Sequence, residues 1–136
     1  SARIRYDGNH KVEGNGSYRF NLQKGWSRWV LTMKNNQSID ISGYKQIKFA
    51  VSSVSAAKWD DFKVIIQDRD DNYMVAKLAD LGFKPDGKFH WLILEIEGIK
   101  QAGVDVSNLG KIIQIAWGGG VGANHSFHLD GLQLLK

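Results

Sequence analysis

Short runs in which hydrophobic and polar residues alternate cover most of the chain. One run is Tyr44–Val51, in which Ile47, Phe49 and Val51 share a face, and another is Phe89–Ile96. Alternation with a period of two is typical of β-strands with one buried face. About nine or ten such runs occur, without a long segment of helical periodicity. The pattern predicts an all-β fold, a β-sandwich jelly roll of two antiparallel sheets.

Glycine supplies most of the predicted turns, since the chain holds 15 glycines and one proline. A tight acidic hairpin is predicted at Arg69–Asn72, and the cluster Gly118–Gly122 is expected to join the last two strands as a hairpin. Ile99–Leu109 is ambiguous and is expected to form a helical turn followed by a loop. A length of 136 residues without repeats or linkers predicts a single domain, residues 1–136.

The composition excludes several kinds of chemistry. Without cysteine, the chain has no disulfide, thiolate metal site or cysteine nucleophile. No run of about 18 apolar residues occurs, so we predict no membrane span. The 18 lysine and arginine residues outnumber the 14 acidic residues, which gives a net charge of +4, and they are scattered, which favours a solvated surface. A weak preference for anionic polymers is the functional alternative. Because no strand interleaves lysines with aromatic residues, nucleic-acid binding is not expected.

Four segments, taken in chain order, carry a resemblance to a known family. They are Ile41–Val51, Trp91–Ile96, Gly103–Ile112 and Phe127–Leu134, the last with an aspartate inside an apolar strand. Together they resemble the galactose-binding-like β-jelly-roll carbohydrate-binding modules, most closely the family 11 modules of bacterial cellulases. The resemblance implies a non-catalytic, secreted and monomeric module that is appended to the catalytic domain of a larger enzyme.

The resemblance also implies a ligand and a cofactor. The ligand would be a polysaccharide such as β-1,4- or mixed-linkage β-glucan, bound in a concave groove on one sheet, and a structural calcium ion would lie at the edge of the sandwich. Another hemicellulose or an acidic polysaccharide is an alternative ligand. A small polysaccharide-degrading enzyme is an alternative function, and Glu95 and Glu97, which share a face of the predicted strand, would be its nearest carboxylate pair. Since no tryptophan-framed glutamate motif occurs, we predict no enzyme.

Tryptophans are the leading candidates for sugar contacts, because sugars present flat C–H faces to aromatic rings and hydroxyl edges to planar polar groups. The resemblance places groove aromatics at Trp26 and Trp117, with Gln114 on the strand of Trp117. Trp29 is three residues from Trp26 and falls on the opposite strand face, with Trp26 favoured as the exposed ring. Alternation groups Trp117 with two core isoleucines, so its exposure would need a bulge beside the glycines.

Other aromatic and polar residues have two interpretations each. Trp59 is a rim platform or a cap on the core edge, and the polar hairpin Gln67–Tyr73 is a groove wall or an exposed acidic turn. His125 could line the groove, whereas Trp91, which alternates with Leu92, is predicted in the core. The full predicted ligand-binding set is Trp26, Trp29, Trp59, Gln67, Asp68, Arg69, Tyr73, Gln114, Trp117 and His125.

Asp130 stands among apolar residues of the last predicted strand, and a buried carboxylate must be paired, ligated or protonated. Calcium takes carboxylate and carbonyl oxygens, so we predict a structural calcium held by Asp130 and Asp7. The alternative is that Asp130 caps the backbone N–H of Gly131. Neither interpretation gives Asp130 a catalytic role.

Overall fold

Nine β-strands and one short α-helix occur in the part of the chain that the structure describes. The computed structural model describes residues 2–7, 17–22, 27–32, 37–53, 62–117 and 125–136, and the side chains of residues 37–53, 62–111 and 128–136. The elements are β1 (Ala2–Asp7), β2 (Ser17–Leu22), β3 (Ser27–Thr32), β4 (Gln46–Ser53), β5 (Lys63–Asp68), β6 (Tyr73–Lys77), a 3-10 turn (Ala79–Leu81), β7 (His90–Glu95), α1 (Ile96–Gln101), β8 (Leu109–Trp117) and β9 (His125–Leu135).

The strands form two sheets whose neighbouring strands are all antiparallel. Sheet A has five strands in the order β1-β2-β9-β4-β7, and sheet B has four in the order β3-β8-β5-β6. This confirms the predicted β-sandwich of two antiparallel sheets. The predicted C-terminal hairpin is wrong, because β8 pairs with β3 and β5 whereas β9 pairs with β2 and β4. Alternation identifies strands but does not identify their partners.

The core lies between the two sheets, and the predicted inner face of β4 is confirmed. Ile47, Phe49 and Val51 are fully buried. Phe49 lies opposite Leu92 of β7, and Ile47 lies opposite Leu94. Burial of each such side chain stabilises the fold by about 1.5–3 kcal/mol. The other buried hydrophobic side chains of the described part include Ile41, Phe62, Val64, Ile66, Leu78, Phe83, Ile96, Ile99, Val104, Val106, Leu109 and Leu129.

The prediction that Trp91 belongs to the core is wrong. Trp91 is 38% exposed and Ile93 is 40% exposed, whereas Leu92 and Leu94 are buried. β7 is apolar on both faces, so its own sequence does not decide which face is inner. Pairing with β4 decides it, because Leu92 and Leu94 lie opposite Phe49 and Ile47, whose side chains belong to the core, whereas Trp91 lies opposite Ala50 on the other face. The ammonium group of Lys48 lies 4.5 Å from the centroid of the Trp91 ring on the outer face of sheet A.

The ambiguous segment forms a helical turn and a loop, as predicted, although the helix begins at Ile96 rather than Ile99. Ile99 is buried, and so are Val104 and Val106 of the loop that follows. The loop is tied to the segment before β4, because the Ile41 N–H donates to the Val106 carbonyl at 2.9 Å. Within the described ranges, every helix is too short or too polar to traverse a bilayer.

Candidate functional site

Sheet B unites the strands on which most of the predicted ligand-binding residues lie. Trp29 is on β3, Gln67 on β5, Tyr73 on β6, and both Gln114 and Trp117 are on β8. The outer surface of this sheet, which we call face B, carries the side chains that alternate with the buried ones. Its described side chains are Lys63, Ile65, Gln67, Tyr73, Val75, Lys77 and Lys111.

The first cross-strand row of face B combines an exposed ring with a fixed amide. Gln67 lies opposite Tyr73 on one side and opposite Lys111 on the other. The Tyr73 side chain is exposed, at 61%. The Gln67 amide accepts a hydrogen bond from Lys111 Nζ at 3.3 Å and donates one to Asp71 Oδ1 at 3.1 Å. These two bonds hold the amide beside the ring.

The second row is apolar on β5 and β6. Val75, which is 44% exposed, lies opposite Ile65. The register places Gln114 of β8 opposite Ile65 and Val30 of β3 opposite Gln114. The register therefore groups position 114 with Ile65 on face B, and binding by Gln114 stays a prediction.

The third row brings two lysines together, since Lys77 lies opposite Lys63. Neither these lysines nor the apolar pair of the second row was predicted as part of a site. The sequence held a signal for them, because β5 and β6 flank the predicted turn at Arg69–Asn72. Counting outward from that turn pairs lysine with lysine and isoleucine with valine.

The register gives Trp29 and Trp117 positions on the other face of sheet B. Trp29 lies opposite Ile115, and Ile115 lies opposite the buried Val64. The pairing of β3 with β8 runs without a register shift from Trp117 to Ile113. The bulge that would turn position 117 onto face B is therefore absent from this stretch. Binding by Trp117 stays a prediction, as does binding by Trp29.

Three other predicted ligand-binding residues receive no side-chain description. Trp26 and Trp59 lie outside the described residues. His125 is the first residue of β9 and lies opposite Leu22 of β2. His125 thus belongs to sheet A, apart from the strands that form face B.

Asp68 has the geometry of a structural residue. It is 2% exposed. Its Oδ1 accepts the backbone N–H groups of Asp70 and Asn72, each at 2.9 Å. Its Oδ2 accepts the Asn72 amide at 3.0 Å and the backbone N–H of Asp105 at 2.8 Å. Burial raises the pKa of Asp68, but hydrogen bonds from Asp105, Asn72 and Asp70 outweigh this effect and hold the pKa below its ordinary value.

This carboxylate joins the β5–β6 turn to the loop before β8, and Arg69 supports the same junction. The Arg69 N–H donates to the Asn108 carbonyl at 3.0 Å. A Cβ on Gly110 would lie 3.1 Å from Arg69 Cγ, so the arginine stem runs close over this glycine. Asp71 closes the turn with a left-handed φ of 66°, a conformation that aspartate tolerates better than most residues. The junction positions Tyr73 at the start of β6.

Asp130 and Asp7, the predicted calcium ligands, lie on strands separated by β2. Tyr6 of β1 and Leu129 of β9 both lie opposite Tyr18 of β2. Asp7 and Asp130 are the next residues of β1 and β9, and these two strands run in the same direction, so the two aspartates lie at the same level of the sheet. Their backbones are thus about 10 Å apart. Asp130 is half-buried, and its Oδ1 accepts the N–H of Gly131 at 2.8 Å, as in the capping alternative.

A bulge in β9 accompanies that cap. Lys48 and Ala50 of β4 are two residues apart, but their partners Gln133 and Asp130 are three apart, and Gly131 has a left-handed φ of 65°. No group of three or more metal-ligating side chains occurs among the described residues. Two aspartates supply too few of the six to eight oxygens that calcium takes, so backbone carbonyls and water would have to supply the rest.

The carboxylate pair that an enzyme could use lies on two different elements, although Glu95 and Glu97 both line one open pocket. Glu95 ends β7 and accepts a hydrogen bond from Gln46 Nε2 at 2.8 Å. Glu97 lies in α1 and pairs with Lys100 at 3.6 Å. The expectation that the two glutamates share a strand face is wrong, because the strand ends between them.

Solved carbohydrate-binding modules have a similar backbone. The family 30 module of a cellulosomal cellulase of Clostridium thermocellum has a TM-score of 0.74 at 13% identity, over 98% of this chain and 82% of that chain. A family 11 module from Clostridium thermocellum, in complex with a β-1,3-1,4-mixed-linked tetrasaccharide, has a TM-score of 0.72 at 12% identity, over 99% and 82%. At these identities the likeness establishes the fold alone: this chain has the β-sandwich fold that these carbohydrate-binding modules have.

Enzymes that contain the same fold as one part of a longer chain are similar as well. An exo-β-agarase has a TM-score of 0.76 at 12% identity, over 98% of this chain and 22% of that chain. A β-1,2-glucanase from Parabacteroides distasonis has a TM-score of 0.68 at 14% identity, over 98% and 22%. No protein-family model matches the sequence, and no curated protein matches it either.

Proposed function

We propose that this chain is a non-catalytic carbohydrate-binding module and that face B holds the polysaccharide. The observation that carries the proposal is the Tyr73 ring, exposed beside the fixed amide of Gln67. An exposed ring on a strand loses little conformational entropy when it binds a flat ligand. The shared fold of the solved carbohydrate-binding modules supports the same function.

The chemistry of the first row suits one pyranose ring. The C–H face of a sugar would stack on Tyr73, while its hydroxyl groups would bond to the Gln67 amide and the Lys111 ammonium. Val75 and Ile65 would extend the contact with a neighbouring sugar. Gln114, at its register position beside Ile65, would add a second amide to the groove. These contacts bind and orient a chain without acting on its glycosidic bonds.

As the ligand we propose a β-glucan, with β-1,4 or mixed linkages, and as the role the delivery of an attached, secreted glycoside hydrolase to its substrate. The mixed-linked tetrasaccharide in the family 11 complex supports the ligand. The enzymes that carry this fold as about a fifth of their length support the attachment. A calcium ion between Asp7 and Asp130 would serve the stability of the module and take no part in binding.

Affinity electrophoresis in soluble mixed-linkage glucan and hydroxyethyl cellulose tests the binding. The wild-type protein should be retarded, without release of reducing sugar. Tyr73→Ala should remove about 1–2 kcal/mol of binding energy, which corresponds to a fall in affinity of roughly 5–30-fold. Trp91→Ala, an exposed aromatic residue on the opposite sheet, is the matched control and should keep its retardation. Equal loss in the two variants, or reducing-sugar release by the wild type, would contradict the proposal.

A further inference from the structure

Face B is positively charged. Three of its seven described side chains are lysines, and none of the seven is acidic. Asp71 lies in the turn at one end of the face, and its carboxylate accepts a hydrogen bond from the Gln67 amide.

The third row concentrates this charge. Lys63 and Lys77 are directly opposite and exposed. Like charges at directly opposite positions destabilise a sheet. Among the residues that the structure describes, neither lysine forms an ion pair with an acidic side chain.

Protection of the sheet edge does not explain the pair. An exposed lysine on an edge strand prevents edge-to-edge association, and Lys77 lies on the edge strand β6. Lys63 lies on β5, which has a partner on each side, so it protects no edge. The register adds a third basic position to the row, because Ala116 of β8 pairs with Lys63 on one side and with Arg28 of β3 on the other.

The charged row lies at a defined distance from the stacking ring. Tyr73, Val75 and Lys77 follow each other at every second position of β6. The first and last are thus about 13 Å apart along the strand. A polymer that follows β6 would meet a ring, an apolar side chain and then a pair of cations.

We propose that face B selects polysaccharides whose sugars carry an anionic group, a carboxylate or a sulfate ester. Tyr73 stacks on one sugar, and the Lys63–Lys77 pair binds the anionic group of another sugar in the same chain. The ligand relieves the repulsion between the two lysines, a gain that an uncharged glycan cannot supply. The inference rests on the proposed binding of a polysaccharide by face B, and within that function it makes an anionic polysaccharide the preferred ligand in place of a neutral β-glucan.

The test compares ligands with the same backbone and different charge. Polygalacturonate is measured against its fully methyl-esterified form by affinity electrophoresis and titration calorimetry, at low and at about 0.5 M salt, where screening is strong. The wild-type protein should bind the acid form about 5–10-fold more tightly at low salt, and the salt should remove most of that difference. A sulfated galactan, compared with its desulfated form, shows whether sulfate esters are accepted in place of carboxylates.

Two variants of equal charge separate the site from bulk electrostatics. Lys63→Gln/Lys77→Gln should lose the preference for the acid form and keep its affinity for the methyl ester. Lys84→Gln/Lys88→Gln, which changes two lysines of the loop before β7 and leaves the same net charge, should keep the preference. Melting temperatures of both variants establish that they are folded.

Each outcome supports or overturns a defined statement. Binding to neutral glycans with no preference for the acid or sulfated forms overturns the inference and leaves the proposed function intact. Binding to none of these polysaccharides, and to neither mixed-linkage glucan nor hydroxyethyl cellulose, overturns the proposed function itself. If both double variants lose the preference for the acid form equally, the inference is overturned in favour of non-specific attraction. The same holds if the wild-type protein binds single-stranded DNA of similar charge density as tightly as it binds the acid form.

Discussion

Replacement of Asp68 by asparagine tests whether this buried carboxylate is a structural junction. The change keeps the shape of the side chain but replaces one acceptor oxygen by an NH₂ group. If that group takes the place of Oδ2, it faces the Asp105 N–H and the Asn72 amide, which are both donors. Two hydrogen bonds to a charged group are lost, and a nearly buried donor is left without its partner.

The magnitude follows from those contacts. A hydrogen bond to a charged group contributes about 1.5–3 kcal/mol, and an unsatisfied buried donor costs about 1–3 kcal/mol. Asn72 is exposed, so its amide can turn to water and recover part of its loss. We therefore expect Asp68→Asn to lower the free energy of unfolding by about 2–4 kcal/mol. For a chain of this size the fall in Tm is about 6–15 °C.

Urea unfolding followed by tryptophan fluorescence, together with calorimetry, measures the effect. Asp70→Asn, a neighbouring exposed aspartate in the same turn, is the matched control and should change stability by less than about 0.5 kcal/mol. Glycan retardation measured well below the Tm should survive in Asp68→Asn, since the carboxylate is turned towards the loop. A variant with unchanged stability and lost retardation would refute the structural role and place Asp68 among the sugar contacts.

Two further predictions concern pH and metal. Folding lowers the pKa of Asp68, so the contribution of this carboxylate to stability is complete above its unfolded pKa of about 3.9 and is lost as the pH falls through the lower folded value. The stability of the wild type should therefore fall more steeply with pH below about pH 4 than the stability of Asp68→Asn. Equal slopes in acid unfolding would contradict the lowered pKa. If calcium is bound by Asp7 and Asp130, EDTA should lower the Tm and added calcium should restore it, with glycan retardation at low temperature unchanged. An Asp130→Asn variant should then lose the response to EDTA, and a wild-type Tm that ignores EDTA would leave Asp130 as the cap of Gly131.

The elements that could be predicted from the sequence are those in which large hydrophobic residues alternate with polar or small ones. β4 is an example, since Ile47, Phe49 and Val51 are all buried in the core, although Ala50 and Ser52 on its other face are buried as well. β7 could not be oriented in the same way, because Trp91 and Leu92 are both apolar. Only the pairing of β7 with β4 distinguishes the inner residue from the outer one.

The candidate site was predictable in its strands and not in its contacts. The hairpin from Gln67 to Tyr73 had two interpretations, an exposed acidic turn or a groove wall, and both residues lie on face B. Asp68, next to Gln67, was assigned to the same wall, but its partners include Asp105, which is 37 residues away in sequence. Local periodicity carries no information about a loop that folds back from such a distance.

The position of β9 in the sheet order determines when sheet A can form. β9 is the last strand in the sequence, and it lies between β2 and β4, in the middle of the five-stranded sheet. Without it the β1–β2 hairpin has no partner in that sheet, and β4 and β7 remain a separate two-stranded ribbon. On a ribosome the two halves must wait for β9 to emerge before they can join, so sheet A closes only after all nine described strands have been synthesised. Such long-range pairing makes folding slow relative to sheets built from neighbouring hairpins.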